Sequence, residues 1–317
     1  MMRLVGDIGA TNARLGLVTP DGAILHCTNL LCADYDTLGD AIRHYLSEAD
    51  CEAPQLAVLA VAATPRDDRI AFTNNRWSFS IDGLRAHLGL ARLSVINDFH
   101  ANALAIPRLS TDDRKQIGAG TPREDAPIGV IGPGSGLGVS AVVRNGDRHV
   151  ALPGEGGHVT MAPCNDEESA VIGLLRRRFE HVSAERLLSG PGLVNLYSAL
   201  AELHGKDGKA AKTAAEICAP EAIATDECAR RAVDMFCAML GTVASNLALT
   251  LGAHGGIYIA GGIVPRFGAA FAASAFRERF EDKGRFRAYL AAIPTYVITR
   301  PHAALLGAAA LLDTLEG

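Results

Sequence analysis

The sequence predicts an α/β protein made of two similar units, each opening on a three-strand meander with a polar or glycine-rich loop in its first bend. Two stretches follow this plan. The first runs Arg3–Val5, GDIGATNAR, Leu15–Val18, an Asp21-Gly22 turn and Ala23–Cys27. The second runs Ile128–Ile131, GPGSGLG, Val139–Val143, an Asn145-Gly146 turn and His149–Leu152. Asp-Gly and Asn-Gly between alternating apolar runs signal hairpins, because these residues tolerate the positive φ that tight turns need. Each meander then continues into alternating helical and extended patterns, as layered α/β structure requires. At 317 residues the chain also exceeds a typical single core and fits two domains. Meanders are common, so this pattern alone leaves a chance similarity of plan open.

After the first meander, the periodicity predicts a helix over Thr37–Glu48, a strand over Gln55–Ala63, a helix near Ile81–Leu88 and a strand over Leu93–Ile96. A helix over Phe99–Ala105 follows. After the second meander come helices from Glu168, Gly192, Thr213 and Asp226, then a strand over Gly256–Ile259. A helix from Pro265, a strand over Thr295–Ile298 and a helix from Ala303 to Leu312 complete the pass. The loop-rich segment from Pro107 to Pro127 is the expected boundary between the units.

Composition narrows the function classes. Apolar residues make up 49% and charged residues 21%, the balance of a soluble globular protein. With a net charge of −5 and no basic run, nothing supplies the electrostatic footprint of a nucleic-acid partner. Asp7 interrupts the N-terminal apolar stretch, so no signal peptide is expected. The apolar tract Ala232–Leu251 contains Asp234, Ser245 and Asn246 and reads as a buried core helix rather than a membrane span. The seven cysteines are odd in number and show no C-x-x-C spacing, so reduced thiols in the cytoplasm are expected, with no disulfide framework and no zinc site.

The chemistry concentrates in three loops. In the first bend, Gly9 permits close backbone approach, and Thr11 and Asn12 offer donors to phosphate oxygens. Asp7 cannot bind phosphate itself but suits Mg²⁺ held through water. The same residues also suit an ordinary polar hairpin turn. In the second bend, Gly132, Gly134, Gly136 and Gly138 alternate around Ser135, a spacing that permits a nest of N–H groups for phosphate. The stretch Gly136–Ala141 matches the loose dinucleotide pattern G-x-G-x-x-A, yet a strand follows where that pattern needs a helix, so a dehydrogenase is excluded. No G-x-x-x-x-G-K-[ST] segment is present, which excludes a P-loop enzyme. The third loop, Gly261-Gly262, follows a strand and fits either a nucleotide's base or ribose or a plain strand-to-helix turn.

With these loops in hand, the chain resembles the bacterial glucokinases of the hexokinase–actin superfamily. The resemblance runs from Gly6 to Gly307 through GDIGATNAR, TNNRW, INDF, GPGSGLGV, LPGEGGHV, HVSAERLLSGPGLVNLY, IAGGIVPRF and FEDKGRF. Each segment is weak alone; in this order they are highly specific. The cysteine cluster of the repressor/kinase sugar-kinase family is missing, since only Cys164 follows Gly157-His158, and no structural zinc is expected.

The resemblance implies a two-lobed actin-like, ribonuclease-H-like ATPase fold. Its small lobe would be residues 1–108 completed by 299–317, its large lobe residues 109–298, with the active-site cleft between them. It implies ATP-dependent phosphorylation of D-glucose to glucose 6-phosphate, with ATP and Mg²⁺ required, in a cytoplasmic homodimer with no nucleic-acid or membrane partner. Carried over residue by residue, INDF gives sugar-binding Asn97 and the general base Asp98, which would also touch the sugar. GEGGH gives Glu155 and His158, and HVSAER gives Glu185, all for sugar hydroxyls. Asp7, Gly9, Ala10, Thr11 and Asn12 would line the phosphates and metal, Gly134, Ser135 and Gly136 the phosphates, and Gly261 and Gly262 the adenosine.

These residue types fit phosphoryl transfer, which needs an in-line hydroxyl, a carboxylate beside it and clamps for developing charge. Without the resemblance the same residues have blander uses. Asp98 would be the N-cap of the helix Phe99–Ala105. Glu155 would be a turn carboxylate, His158 a satisfied core histidine, Glu185 a solvated helix charge and Arg14 a structural charge beside the first loop. The chain departs from its relatives at Ala10, where many carry glycine, at Ser135, where threonine is common, and at Thr64–Arg69, TPRDDR, which is unusually charged and lacks glycine. Two other functions compete: a kinase for mannose or an N-acetylhexosamine, and a sugar-sensing regulator. The regulator fares poorly, because the phosphate loop begins by Asp7 and leaves no room for a helix-turn-helix.

Overall fold

The computed structural model describes residues 2–50, 52–63, 65, 67–72, 75–206 and 212–315. Cys51, Thr64 and Arg66 of TPRDDR, and Thr73 and Asn74 of TNNRW lie outside the described residues. In chain order the first elements are β1 (Arg3–Ile8), β2 (Asn12–Val18), β3 (Ile24–Leu31), α1 (Leu38–Glu48), β4 (Leu56–Val61), β5 (Arg69–Ala71), β6 (Ser78–Ser80), α2 (Ile81–His87), β7 (Arg92–Asn97) and α3 (Asp98–Ala105). Then come β8 (Arg114–Ile117), β9 (Ile128–Pro133), β10 (Leu137–Asn145), β11 (Arg148–Gly154), α4 (Asp166–Leu175), α5 (Gly190–Leu203), α6 (Ala214–Ile217), α7 (Pro220–Thr225) and α8 (Glu227–Leu251). The last are β12 (Gly256–Ile259), α9 (Val264–Phe267), α10 (Ala269–Ala273), α11 (Phe276–Glu281), α12 (Arg287–Ala291), β13 (Thr295–Ile298) and α13 (Ala303–Leu315). The chain divides into two compact units: residues 1–112, 146–153 and 300–317, and residues 113–145 and 154–299.

In the first unit the sheet order is β3-β2-β1-β4-β7, with the meander antiparallel and β1, β4 and β7 parallel. Period-two alternation sorts the strands onto two cores. Leu4, Ile8, Leu15, Ala57, Leu59 and Val61 face one core with Leu38, Ile42 and Tyr45 of α1 and Leu84 of α2. Val5, Val58, Ala60 and Ile96 face the other, with Ala101 of α3 and Leu305, Ala308 and Leu312 of α13. A helix polar on one side could not fill that second core; α13 can, because alanine and leucine cover most of it. Gly307 lets α13 approach α3 at backbone distance: a Cβ there would lie 1.7 Å from the Ala101 carbonyl oxygen. Asp313 of α13 pairs with Arg3 at 3.2 Å and with Arg108 at 2.5 Å. This packing holds α3, the helix that Asp98 opens, against the first sheet.

In the second unit β10, β9, β12, β13 and β8 lie side by side in that order, with β9, β12 and β13 parallel. The core is centred on α8, capped at its start by the Asp226 carboxylate and ended by Gly252 in the left-handed conformation. By length and composition α8 could cross a membrane, but 72% of its apolar window is buried among α5, α11 and their neighbours, so it is a core helix. The described cysteines are free thiols, and burial pushes Cys237 up to about 12.

The predicted helix from Pro265 is broken into α9, α10 and α11. Gly268, at φ +54°, ends the first piece, and an extended Ser274 ends the second. Strand β8 lies inside the segment read as boundary loop; its Lys115 and Gln116 are exposed, so it carries no apolar alternation.

Candidate active-site residues

In parallel sheets, ligand-binding groups gather at the carboxyl ends of the strands. The first unit places its ionisable groups there. Asp7 is next to last in β1, on the face shared by Val5, α3 and α13; Asn97 ends β7, and Asp98 opens α3. The β1–β2 register sets Asp7 opposite Arg14, and their side chains form an ion pair at 3.0 Å. Burial nonetheless raises the Asp7 pKa, against the lowering pull of Arg14 and of His302. The Asp98 carboxyl is pushed up to about 7, first by burial and then by the like charge of Asp7; the Phe99 N–H opposes both.

The structure corrects the alternative reading of Asp98 as helix cap. Asn97 is the N-cap: its Oδ1 accepts from Phe99 N at 2.8 Å and His100 N at 3.4 Å, and its Nδ2 donates to the Ala63 carbonyl at 3.2 Å. Asp98 follows in the first turn, where its Oδ1 also accepts from Phe99 N, at 2.9 Å. An anion there is favoured by the helix dipole. Asn97 thus holds the strand-to-helix junction, with one amide hydrogen and both acceptor sites of Oδ1 committed to backbone.

The bend between β1 and β2 is closed by Gly9 N–H donating to Asn12 O at 2.9 Å. Asn12 Oδ1 accepts from Asn29 Nδ2 at 3.0 Å, the Thr11 carbonyl accepts from Cys32 N at 2.9 Å, and Gly9 O accepts from Asn75 Nδ2 at 3.4 Å. Thr11 is exposed and Ala10 half-buried. Arg14, read as a structural charge, proves to be the partner of Asp7. Counting the hairpin register outward from the bend would have found that pair. Asn75 lies in the TNNRW segment, to which no role was assigned, and no sequence pattern points to Asn29 or His302.

The second unit gathers the remaining predicted residues. Between β9 and β10, Gly134 N–H donates to Gly136 O at 2.8 Å, forming a tight turn with Ser135 exposed at its tip. Not every amide of this loop is available to phosphate: Gly134 N–H is used within the turn, and Leu137 N–H donates to Glu185 Oε2 at 2.8 Å. Glu185 sits in the short helical turn Ala184–Arg186 before α5, and Gly190 N–H at the start of α5 donates to Gly134 O at 2.8 Å. The reading of Glu185 as a solvated helix charge is therefore overturned.

Gly261 turns the chain after β12 at φ +83°, and a Cβ there would lie 2.4 Å from the Pro133 carbonyl oxygen; Gly262 beside it is exposed. The GEGGH segment packs on the same turn, since a Cβ at Gly157 would lie 1.9 Å from Leu137 O. This leaves Glu155 and His158 exposed, their side chains 4.0 Å apart, so His158 is not a core histidine. Ala184 N–H donates to Val159 O at 2.9 Å, which ties GEGGH to the Glu185 segment. Glu155, His158, Glu185, Gly134–Gly136 and Gly261-Gly262 are thus set around one turn.

The family model described as Glucokinase matches residues 4–315. This chain belongs to the glucokinase family. Over 313 residues it is 49% identical to a glucokinase of Aromatoleum aromaticum, covering 98% of this chain and 94% of that relative. It is also 49% identical to the bifunctional protein glk of Burkholderia pseudomallei, of which it covers 48%. Among solved structures, a glucokinase from an Antarctic psychrotroph superposes with a TM-score of 0.88 at 37% identity, covering 99% of both chains. The glucokinase family's actin-like ATPase fold, expected from the motifs, is the fold of this chain.

Proposed function

We propose that, in phosphorylating D-glucose with ATP, this member of the glucokinase family uses Asp98 as the general base that takes the proton from the 6-hydroxyl. The observation that carries this reading is the carboxylate pair at the carboxyl edge of the first sheet. Burial and the charge of Asp7 hold Asp98 at about 7, where a carboxylate is basic enough to accept a proton yet still largely ionised just above neutrality. The ordinary carboxylate range would make it a far weaker base.

The sugar hydroxyls would be read by Glu155, His158 and Glu185, with Asn97 contributing its remaining amide hydrogen. Thr11, Asn12 and the Ala10 N–H would meet phosphate oxygens, with Gly9 allowing the close approach, as would Ser135 and the Gly136 N–H in the turn that begins at Gly134. Gly261 and Gly262 would border the adenosine. Among the described residues no group of three or more His, Cys, Asp or Glu forms a ready metal cage. Asp7 alone fits a cation that arrives with the nucleotide and keeps water and phosphate oxygens as its other ligands, as Mg²⁺ does. Bound there, Mg²⁺ would neutralise charge on the transferring phosphoryl group. Activity in a cytoplasmic homodimer is part of this reading.

A coupled assay over glucose, mannose and N-acetylhexosamines with ATP and Mg²⁺ tests the substrate. Glucose is expected to give the highest kcat/KM; a faster mannose or N-acetylhexosamine reaction would reassign it. The same assay over pH tests the base. The profile for glucose should fall on the acid side with a midpoint near pH 7, as Asp98 becomes protonated.

A further inference from the structure

We infer, on the reading of Glu185 as a sugar ligand, that its carboxylate is also a strut to the nucleotide turn, so that residue 136 must be glycine for glucose to bind well. The strut is one hydrogen bond, Leu137 N–H to Glu185 Oε2 at 2.8 Å. It lies directly against Gly136, where a Cβ would meet the same Oε2 at 2.5 Å. The glycine is therefore not there for a left-handed turn; its missing side chain leaves the space that the carboxylate occupies.

The surroundings hold both ends of the strut. Ser189 Oγ donates to the Glu185 carbonyl at 2.8 Å and braces the segment internally, and Gly190 N–H reaches Gly134 O at 2.8 Å, so this bond and the strut itself fasten the segment to the turn. Gly157 presses on Leu137 O from the GEGGH side. A carboxylate has two oxygens and about four acceptor sites, so one oxygen can stay on Leu137 while the other takes a sugar hydroxyl. A sugar bound to Glu185 then bears on the amide that follows the phosphate turn. Glu185 is in this sense a positioning residue as well as a sugar ligand, and occupation of one subsite orders the other.

Gly136→Ala isolates the strut. The atom a new methyl would strike is the far end of a flexible side chain, so the protein should fold while the carboxylate swings aside. Calorimetric titration of glucose into nucleotide-free protein is the measurement, with thermal unfolding as the folding check. Gly136→Ala should weaken glucose by roughly fivefold or more. Gly173→Ala in α4, whose Cβ would also meet open space, should keep glucose affinity within about twofold. Glu185→Ala reports on the reading underneath.

Loss of glucose affinity in both Gly136→Ala and Glu185→Ala supports the strut. Loss in Glu185→Ala alone overturns the strut and leaves the sugar reading standing. Loss in Gly136→Ala alone shows that the effect does not pass through Glu185, which also overturns it. No loss in either removes the sugar reading and the strut together. Should Gly136→Ala fail to fold, Glu185→Asp, one methylene short of Leu137, carries the same expectation. The backbone amide signal of Leu137 gives an independent readout: it should move when glucose saturates the wild type, and an unmoved signal counts against the strut.

Discussion

The two bends that open the two meanders share a topology and differ in nearly everything chemical. The first, Gly9–Asn12, is backed by charge: Asp7 and Arg14 pair across the strands beneath it, and Asp98 stands within reach of the Asp7 field. The second, Gly134–Gly136, has no ionisable side chain of its own and borrows one, Glu185, from a segment about fifty residues further along the chain. On the function proposed above, one repeated scaffold would support proton transfer in one copy and shape-dependent binding in the other. A meander fixes where a bend lies, and the residues flanking it decide what the bend can do.

The sharpest way to break this comparison is at Asp98. If the first copy does the proton chemistry, Asp98→Ala should lower kcat by roughly 10²–10⁴-fold with glucose binding retained. Turnover close to that of the wild type would show that the charge around the first bend serves another purpose. Next in size is Glu185→Gln, which should weaken glucose by roughly 5–100-fold, about 1–3 kcal/mol for an unpaired site group, and ATP less. Equal losses for the two ligands would point to a purely structural role in the second copy.

A pH experiment then tests the coupling within the first copy. Asp7→Asn removes the like charge that helps to raise Asp98, so the acid limb of the remaining kcat/KM profile should move to lower pH. A limb that stays in place would leave burial as the sole cause. The same shift makes a stability prediction. A carboxyl raised from 3.8 to about 7 binds its proton more tightly in the folded state than in the unfolded state. Between those values stability therefore falls as pH rises, and above about 7 the folded protein carries the full burden of a buried charge. Asp98→Asn should accordingly raise Tm at pH 8 and do so much less at pH 5. The smallest effect is expected at the exposed tip of the second turn, where Ser135→Ala should raise KM for ATP by a few-fold, about 0.5–1.5 kcal/mol for one hydroxyl.

Much of this was legible in the sequence because the relevant signals are local. The Asp21-Gly22 and Asn145-Gly146 turns mark both meanders, Thr37 and Asp226 cap the helices that follow them, and the apolar runs Gly256–Ile259 and Thr295–Ile298 match strands β12 and β13. The features that were missed depend on contacts distant in sequence. Strand β8 is recognisable only by its pairing with β13, since three of its four side chains, Arg114, Lys115 and Gln116, are charged or polar. The sequence suggests Asp98 as the cap of α3, whereas the cap is Asn97, whose side chain is held by donation to the distant Ala63 carbonyl. Glu185 looks like any helical glutamate until β10 brings Leu137 beneath it.

The docking of α13 on α3 also bears on how the protein comes into being. Arg108, just beyond α3, and Asp313 in α13 are separated by 205 residues. At translation rates of about 5–20 residues per second, the partner helix follows on the order of 10–40 s later. Throughout that interval the face of α3 that will meet Gly307 has no cover, and the junction bearing Asp98 lacks the support that fixes it. A nascent chain can complete much of its second unit before this core of the first is closed. On the reading of Asp98 as proton acceptor, the helix packed on α3 comes from far along the chain, and a ribosome stalled before residue 303 would display a core face lined with Val5, Val58, Ala60 and Ile96.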